Sequence, residues 1–308
     1  MAGQIWSTNS LGGFMWSANL SRKLRTALQP LVRFRQFCDA KEAFGVGLGE
    51  FFNWNVYSDA ATEGRAIAET ETMPESGFTI SQASLTITEY GNSVPFTKKL
   101  DDLSEQPVTE VVHKVLKNDA RKVLDKAAHV QFSKALLRFA TTSSTAYNLV
   151  TSGLSPGISA NALGKEHVKL VADELAEREV PSFDGNNYMA CGRPSRLRQL
   201  KNDLESIHQY VSEGWHVIMN GEKGRYEGIR FIEQTNIADV GAFGEIFFFG
   251  ADTVVEAFAI PEEVRGKIPT DYGRSRGIAW YAELGYGIVH PTDINQARII
   301  VMSDFAAP

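Results

Sequence analysis

Apolar residues recur at three- and four-residue steps along one long stretch of the chain, Gln106 to Ala140. They are Val108, Val111, Val112, Val115, Leu116, Val123, Leu124, Ala127, Ala128, Phe132, Ala135, Leu136 and Phe139. That spacing puts them on one face of a helix. Pro107 suits a first helical position, and neither Pro nor Gly follows before the Thr-Thr-Ser-Ser tract at Thr141, so the stretch reads as one uninterrupted helix. At 1.5 Å per residue it would span about 50 Å, more than a compact core needs. Such a helix suggests a spine against which a flat subunit is laid.

Strict alternation marks Phe51 to Tyr57, with Phe52, Trp54 and Val56 on one side and Asn53 and Asn55 on the other, which predicts a strand. Ser58 to Gly77 is rich in Ala, Glu and Thr without an apolar period and predicts an extended, exposed loop. Phe78 and Ile80 alternate, but the parity changes before Leu85 and Ile87, predicting a bulge near Gln82 and Ala83. Gly91-Asn92 predicts a turn into Val94 to Thr97. Phe44 to Leu100 is thus expected to form one long β excursion, of a length that is usually functional or disordered. The first forty-odd residues mix Gly, Ser, Asn and Gln with isolated Trp6, Phe14, Met15 and Trp16 and read as an arm. Leu20, Leu24, Leu28 and Leu31 fit a short amphipathic helix, interrupted by Pro30, that could dock on a neighbour; a disordered tail is the alternative.

Beyond the spine, Thr141 to Leu163 is a Ser-, Thr- and Gly-rich connection. Lys165 to Glu179 predicts a helix through Val168, Val171, Ala172, Leu175 and Ala176, and Asn187 to Cys191 a short strand. Pro194 opens a helix carrying Leu197, Leu200, Leu204, Ile207 and Val211. Short strands at His216 to Met219, Ile229 to Gln234 and Glu245 to Phe249 make this unit α+β. Strands at Ile278 to His290 and Ala297 to Ser303 are expected to return beside the spine. No internal repeat is visible.

With 308 residues and 43% apolar composition the chain can bury a substantial core. Its net charge of -6 argues against a general nucleic-acid binder. The charge is unevenly spread. In residues 1–43, six basic side chains (Arg22, Lys23, Arg25, Arg33, Arg35, Lys41) against Asp39 and Glu42 give +4. In residues 44–76, Glu50, Asp59, Glu63, Glu69, Glu71 and Glu75 against Arg65 alone give -5. Cys38 and Cys191 match no metal or redox spacing and read as buried reduced thiols of a cytosolic chain. Nothing suggests an export signal or a membrane span.

The candidate chemistry is thin. Gly45-Val46-Gly47-Leu48-Gly49-Glu50 has Glu where a dinucleotide fingerprint needs glycine at its sixth position and lacks the flanking strand and helix, and Gly221-Glu222-Lys223-Gly224 lacks the Gly-Lys-Ser/Thr of a phosphate loop. Two Glu-x-x-His units, Glu110 with His113 and Glu205 with His208, would suit a di-iron site only with four long helices, and three are predicted. His129, His167, His216 and His290 have no nucleophile at motif spacing. The spine carries a basic stripe, Lys114, Lys117 and Arg121, extended less regularly by Lys122 and Lys126. Such a stripe is most often simply solvated; lining a container filled with nucleic acid, it would neutralise phosphates without reading sequence.

The order of these parts resembles the major capsid proteins of tailed bacteriophages, the fold of Hong Kong ninety-seven type. The resemblance is carried by Met73-Pro74-Glu75 through Phe78-Thr79-Ile80, by Leu85-Thr86-Ile87-Thr88-Glu89-Tyr90-Gly91-Asn92-Ser93-Val94 and by Leu103-Ser104-Glu105 leading into the spine. Gly221 to Gly228, Phe249-Gly250-Ala251-Asp252 and Leu284-Gly285-Tyr286-Gly287 add to it. It implies an α+β subunit with an N-terminal arm (1–43), an extended β loop (44–100), a peripheral domain with the spine helix (101–163), an axial α+β domain (164–276) and returning strands of the peripheral domain (277–308). It further implies a structural, non-enzymatic protein without cofactors that assembles as hexamers and pentamers into an icosahedral virion shell around non-specifically packaged double-stranded DNA. Assembly would take place in a bacterial cytoplasm with a separate scaffolding protein, a portal and a decoration protein, and without a membrane. An encapsulin-type nanocompartment and a metal-dependent enzyme are the alternatives. On this reading, arm residues Arg22, Lys23, Arg25, Arg33 and Arg35 pair between subunits with loop residues Glu63, Glu69, Glu71 and Glu75, and Lys114, Lys117 and Arg121 face the DNA. Such pairing fixes register and steers encounter more than it supplies affinity.

Overall fold

The computed structural model describes residues 29–30, 32–43, 47, 49–208, 225–236 and 244–304, with the side chains of 40–43 and 205–208 left aside. In chain order the elements are a 3₁₀ turn (Phe34–Phe37), β1 (Asp39–Ala43), β2 (Phe51–Tyr57), β3 (Ile80–Thr86), β4 (Thr88–Thr97), α1 (Lys98–Leu103), α2 (Val108–Phe132), β5 (Leu137–Thr141), β6 (Tyr147–Val150), α3 (Lys165–Glu177), β7 (Tyr188–Gly192), α4 (Arg198–His208), β8 (Arg225–Tyr226), β9 (Ile229–Glu233), β10 (Ile246–Phe249), β11 (Val254–Gly266), β12 (Ser275–Ile288) and β13 (Ile299–Met302). They form an α+β fold. The amphipathic helix expected around Leu20 to Leu31 and the strand at His216 to Met219 lie outside the described residues.

Helix α2 is the spine, but it is 25 residues long and ends at Phe132, not Ala140. That shortens it to about 37 Å. Ser133 closes it, donating its N–H to the His129 carbonyl at 3.0 Å and its hydroxyl to the same oxygen at 3.2 Å. Leu137 to Phe139 then pair in parallel with Ile300 to Met302, some 160 residues away, and bury Leu137 and Phe139 completely. No Gly or Pro marks the stop, because a sheet partner far along the chain decides it.

The apolar side chains α2 buries are Val108, Val112, Leu116, Ala120, Leu124, Ala128 and Phe132, every fourth residue. With 3.6 residues per turn each step of four advances the row by about 40°, so over its length the buried row winds about 240° around the helix. Val115, expected on the apolar face, is consequently 54% exposed. The winding row meets two sheets. Toward the N-terminal half, Asp119 accepts a hydrogen bond from Trp280 Nε1 at 3.0 Å on β12. At the C-terminal end, Phe132 packs on Phe249 of β10 with ring centroids 5.0 Å apart. One continuous core runs along the helix from the first sheet to the second.

The first sheet has the order β1-β11-β12-β4, with β1 parallel to β11 and the other pairs antiparallel. Its β11 is invisible to alternation: Glu256, Pro261, Glu262 and Glu263 break the pattern, and two register shifts between Phe258 and Glu263 accommodate the proline. The expected turn at Gly91-Asn92 is absent, since β4 runs straight through and pairs with β12 from Thr88 to Thr97. Gly91 serves close approach instead: a Cβ there would lie 2.9 Å from the Trp280 carbonyl oxygen. The chain changes sheets at Ile87, whose N–H donates to Glu50 O at 2.9 Å.

The second sheet has the order β6-β5-β13-β10-β7-β9-β8. One face is covered by α3 through Val168, Val171 and Leu175 and by Leu200 of α4, the other by the end of α2 and the 3₁₀ turn. Its strands come from residues 137–150, 188–249 and 299–302, while β11, from within 164–276, joins the first sheet. Sheet membership therefore crosses the expected boundaries at 163 and 276. The expected excursion is likewise shorter: only β2, β3 and the loop between them stand apart as a two-stranded hairpin, and β4 belongs to the body.

Candidate intersubunit surfaces

The hairpin pairs without interruption from Phe51 opposite Thr86 to Tyr57 opposite Ile80, so there is no bulge at Gln82 and Ala83. The parity change has another cause. Phe52, Trp54 and Val56 lie opposite Leu85, Ala83 and Ser81 and share their face, which leans on the body. Phe78 and Ile80 lie on the other parity near the far end, each 64% exposed, with Tyr57 at 79%.

What holds the hairpin to the body is a joint over glycines. A Cβ at Gly287 would lie 2.9 Å from both Leu85 Cβ and Trp54 Cη2, and one at Gly285 would lie 2.4 Å from the Thr86 carbonyl oxygen. Only bare backbone lets the hairpin root lie so close to β12. Trp54 Nε1 then donates to the Val289 carbonyl at 3.2 Å, fixing the ring. The sequence shows Gly285 and Gly287 but not their partner; the signal is two glycines separated by one residue in a strand, both on one face.

Past the joint, residues 58–79 are predominantly exposed coil, bracketed by Ser58 N–H to Thr79 O (2.8 Å) and Ala61 N–H to Gly77 O (2.9 Å). Glu63, Glu69, Glu71 and Glu75 are all exposed there, and Glu71 is engaged by Arg65 of the same loop.

The arm enters the described residues already packed into the chain's own core. Phe34 is fully buried, 5.4 Å from Phe132 and 5.3 Å from Phe247 between ring centroids. Arg35 donates to Glu256 through Nε (3.0 Å) and Nη2 (2.7 Å) and also pairs with Glu262. Burial works against the guanidinium, but the two carboxylates outweigh it and hold its proton more firmly than usual. Burial likewise raises the Glu262 carboxyl, yet the Arg35 bond prevails and leaves it below its ordinary value. Tyr286, whose hydroxyl donates to Glu256 at 3.3 Å, is pushed up by burial and by that carboxylate. Arg33 is partly exposed, and Arg22, Lys23 and Arg25 lie outside the described residues.

A second anchor for the arm root lies on α2. Asp125, fully buried on α2, accepts the backbone N–H of Arg35 (3.1 Å), Gln234 Nε2 (2.7 Å) and Asn236 Nδ2 (2.9 Å). Burial raises its pKa despite these donors. A carboxylate beside Leu124, inside the buried sector of the helix, is the trace it leaves in the sequence.

On the solvent side of α2, Lys114 is held by Glu110 at 2.6 Å. Lys117 and Arg121 are exposed with no ion pair among the described residues. Glu110 and His113 are exposed on the same helix, the side chains of Glu205 and His208 are among those left aside, and no group of three metal-ligating residues converges among the described residues. His129 packs between Phe34 and Phe247, and His167 bonds Gly164 N–H (3.1 Å) and the Ser143 carbonyl (2.9 Å), so both are core side chains. Cys38 and Cys191 are buried and not joined in a disulfide, and burial pushes the Cys38 thiol up. No described helix is long and apolar enough to cross a membrane.

No family model and no curated protein matches the sequence. Solved structures do match the fold. The chain superposes on the capsid structure of cyanophage P-SCSP1u with a TM-score of 0.70 at 11% identity, covering 95% of this chain and 94% of that one. The capsid of Ralstonia phage GP4 gives 0.68 at 13% identity, with 95% of each chain covered. The head structure of Helicobacter pylori bacteriophage KHP40 gives 0.70 at 12% identity, covering 94% and 96%. The fold is therefore that of phage capsid subunits, the Hong Kong ninety-seven type that the sequence resembles. It extends over almost the whole chain.

Proposed function

We propose that this chain is a structural major capsid protein, many copies of which form an icosahedral shell around double-stranded viral DNA. The observation that carries this reading is the hairpin: an acidic loop and an apolar outer edge, with Tyr57, Phe78 and Ile80 open to solvent, tied to the body at its root by a close glycine joint. A protein that functions alone gains nothing from such a surface, whereas a sibling subunit can cover it. The capsid fold supports the same conclusion. Hexamers and pentamers of the chain are the units of the shell, with the arm and loop crossing between neighbours and a separate scaffolding protein, a portal and a decoration protein as partners. Lys117 and Arg121, free of ion pairs among the described residues, face the packaged DNA. The place of action is the virion capsid, assembled in the cytoplasm of a bacterial host.

The test is negative-stain microscopy of the expressed chain, alone and with its genomic neighbours. Closed shells containing DNA when terminase and portal are supplied are expected. Shells that instead enclose a co-encoded cargo protein would identify a nanocompartment, and a stable monomer under all conditions would end the capsid reading.

A further inference from the structure

A small, mostly apolar cavity lies where three segments meet: the exit of α2 at Ala135 and Leu136, the Asp252-Thr253 turn ahead of β11, and the stretch joining β12 to β13. Thr253 and His290 line it, 2% and 8% exposed, and Thr253 Oγ1 and His290 Nε2 are buried without a hydrogen-bond partner among the described residues. The backbone beside them is fixed, since Val289 N–H donates to the Thr253 carbonyl at 3.0 Å. Two orphaned polar atoms on residues that line one cavity are costly unless something small satisfies both.

Charge and size define what that is. Arg298 also lines the cavity, but its guanidinium is committed to Asp252, with Nη1 2.6 Å from the carboxylate and 3.3 Å from the carbonyl oxygen. An anion would have to compete with that carboxylate, and a cation would face the guanidinium. The ligand is therefore neutral. The cavity measures about 10 Å³ to the centre of a water-sized sphere, room for a single water molecule. We propose that this is an internal hydration site, in which one water donates to His290 Nε2, accepts from the Thr253 hydroxyl and so pins the Asp252-Thr253 turn to the end of β12. That arrangement needs a neutral imidazole. Burial first and Arg298 second hold His290 in that form against the opposing pull of Asp252 and Asp293.

The experiment joins a density measurement on the full chain with a sign test in solution. A reconstruction or crystal structure that shows ordered waters is expected to place one peak within hydrogen-bonding distance of both atoms. Thr253→Val removes the hydroxyl at constant shape. With the water present it lowers the melting temperature of the full chain, and Thr253→Ser restores most of the loss. If the hydroxyl is a true orphan, replacing it with a methyl group raises the melting temperature, which overturns the proposal. An empty cavity, or a peak that exchanges with bromide, overturns it as well.

Discussion

Asp125 on the spine helix accepts the backbone N–H of Arg35 at 3.1 Å, across 90 residues of sequence. The same carboxylate holds Gln234 and Asn236, so the root of the arm, the spine and the segment leaving β9 share one buried acceptor. Asp125→Ala strands these donors inside the protein. The expected cost is about 3–5 kcal/mol, read from urea denaturation of the full chain, with faster proteolysis at the arm root as the local signature.

The arm has a boundary that chemistry sets. Deleting residues 1–28 should leave a folded subunit that closes shells poorly, because Phe34 and Arg35 stay in place. Deletion through Arg35 should also destabilise the subunit, since losing a buried Phe costs about 3–5 kcal/mol. Circular dichroism melts separate the two truncations; equal melting temperatures would show that the arm root adds nothing to the core.

Gly285→Ala sets a Cβ against the Thr86 carbonyl, and Gly287→Ala sets one against Leu85 and Trp54. Each should cost about 1–3 kcal/mol by overpacking and re-aim the hairpin. The readouts are a shift in Trp54 fluorescence and malformed particles under the microscope, with far-ultraviolet dichroism unchanged.

Reversing charge at Glu69 should weaken assembly most at low ionic strength, where screening is least. Glu71 is already engaged by Arg65, so Glu71→Lys should do less than Glu69→Lys. Light scattering of assembly against salt measures both, and identical yields at low salt would remove the loop from the intersubunit contacts.

Glu262 gives a pH dependence with a definite sign. Although burial opposes it, the Arg35 bond leaves the folded carboxyl below its ordinary value, so its contribution is present above the unfolded pKa and disappears as pH falls through the folded one. Glu262→Gln should therefore be less stable than the natural chain at neutral pH and equal to it in acid. Denaturation midpoints at several pH values provide the comparison.

Much of the fold was legible wherever one side of an element meets the core and the other meets water. Phe51 to Tyr57 declared itself for that reason, as did the N-terminal part of the spine and the helix beginning at Lys165. Legibility failed where distant partners decide. Leu137 and Phe139 keep a helical rhythm, yet β13 draws them into a sheet. Gly91 looks like a turn, yet it only makes room for a neighbouring carbonyl. The uneven charge of the arm and the loop was readable along the chain, but not the use of Arg35 within the chain's own core, because Glu256 and Glu262 are more than 200 residues away.

The winding of α2's buried row turns this helix into an axle with two plates mounted at different angles around its circumference. In the assembly proposed above, torsion or bowing of that axle would swivel one plate relative to the other and so change the tightness of the shell's curve, without unmaking either sheet.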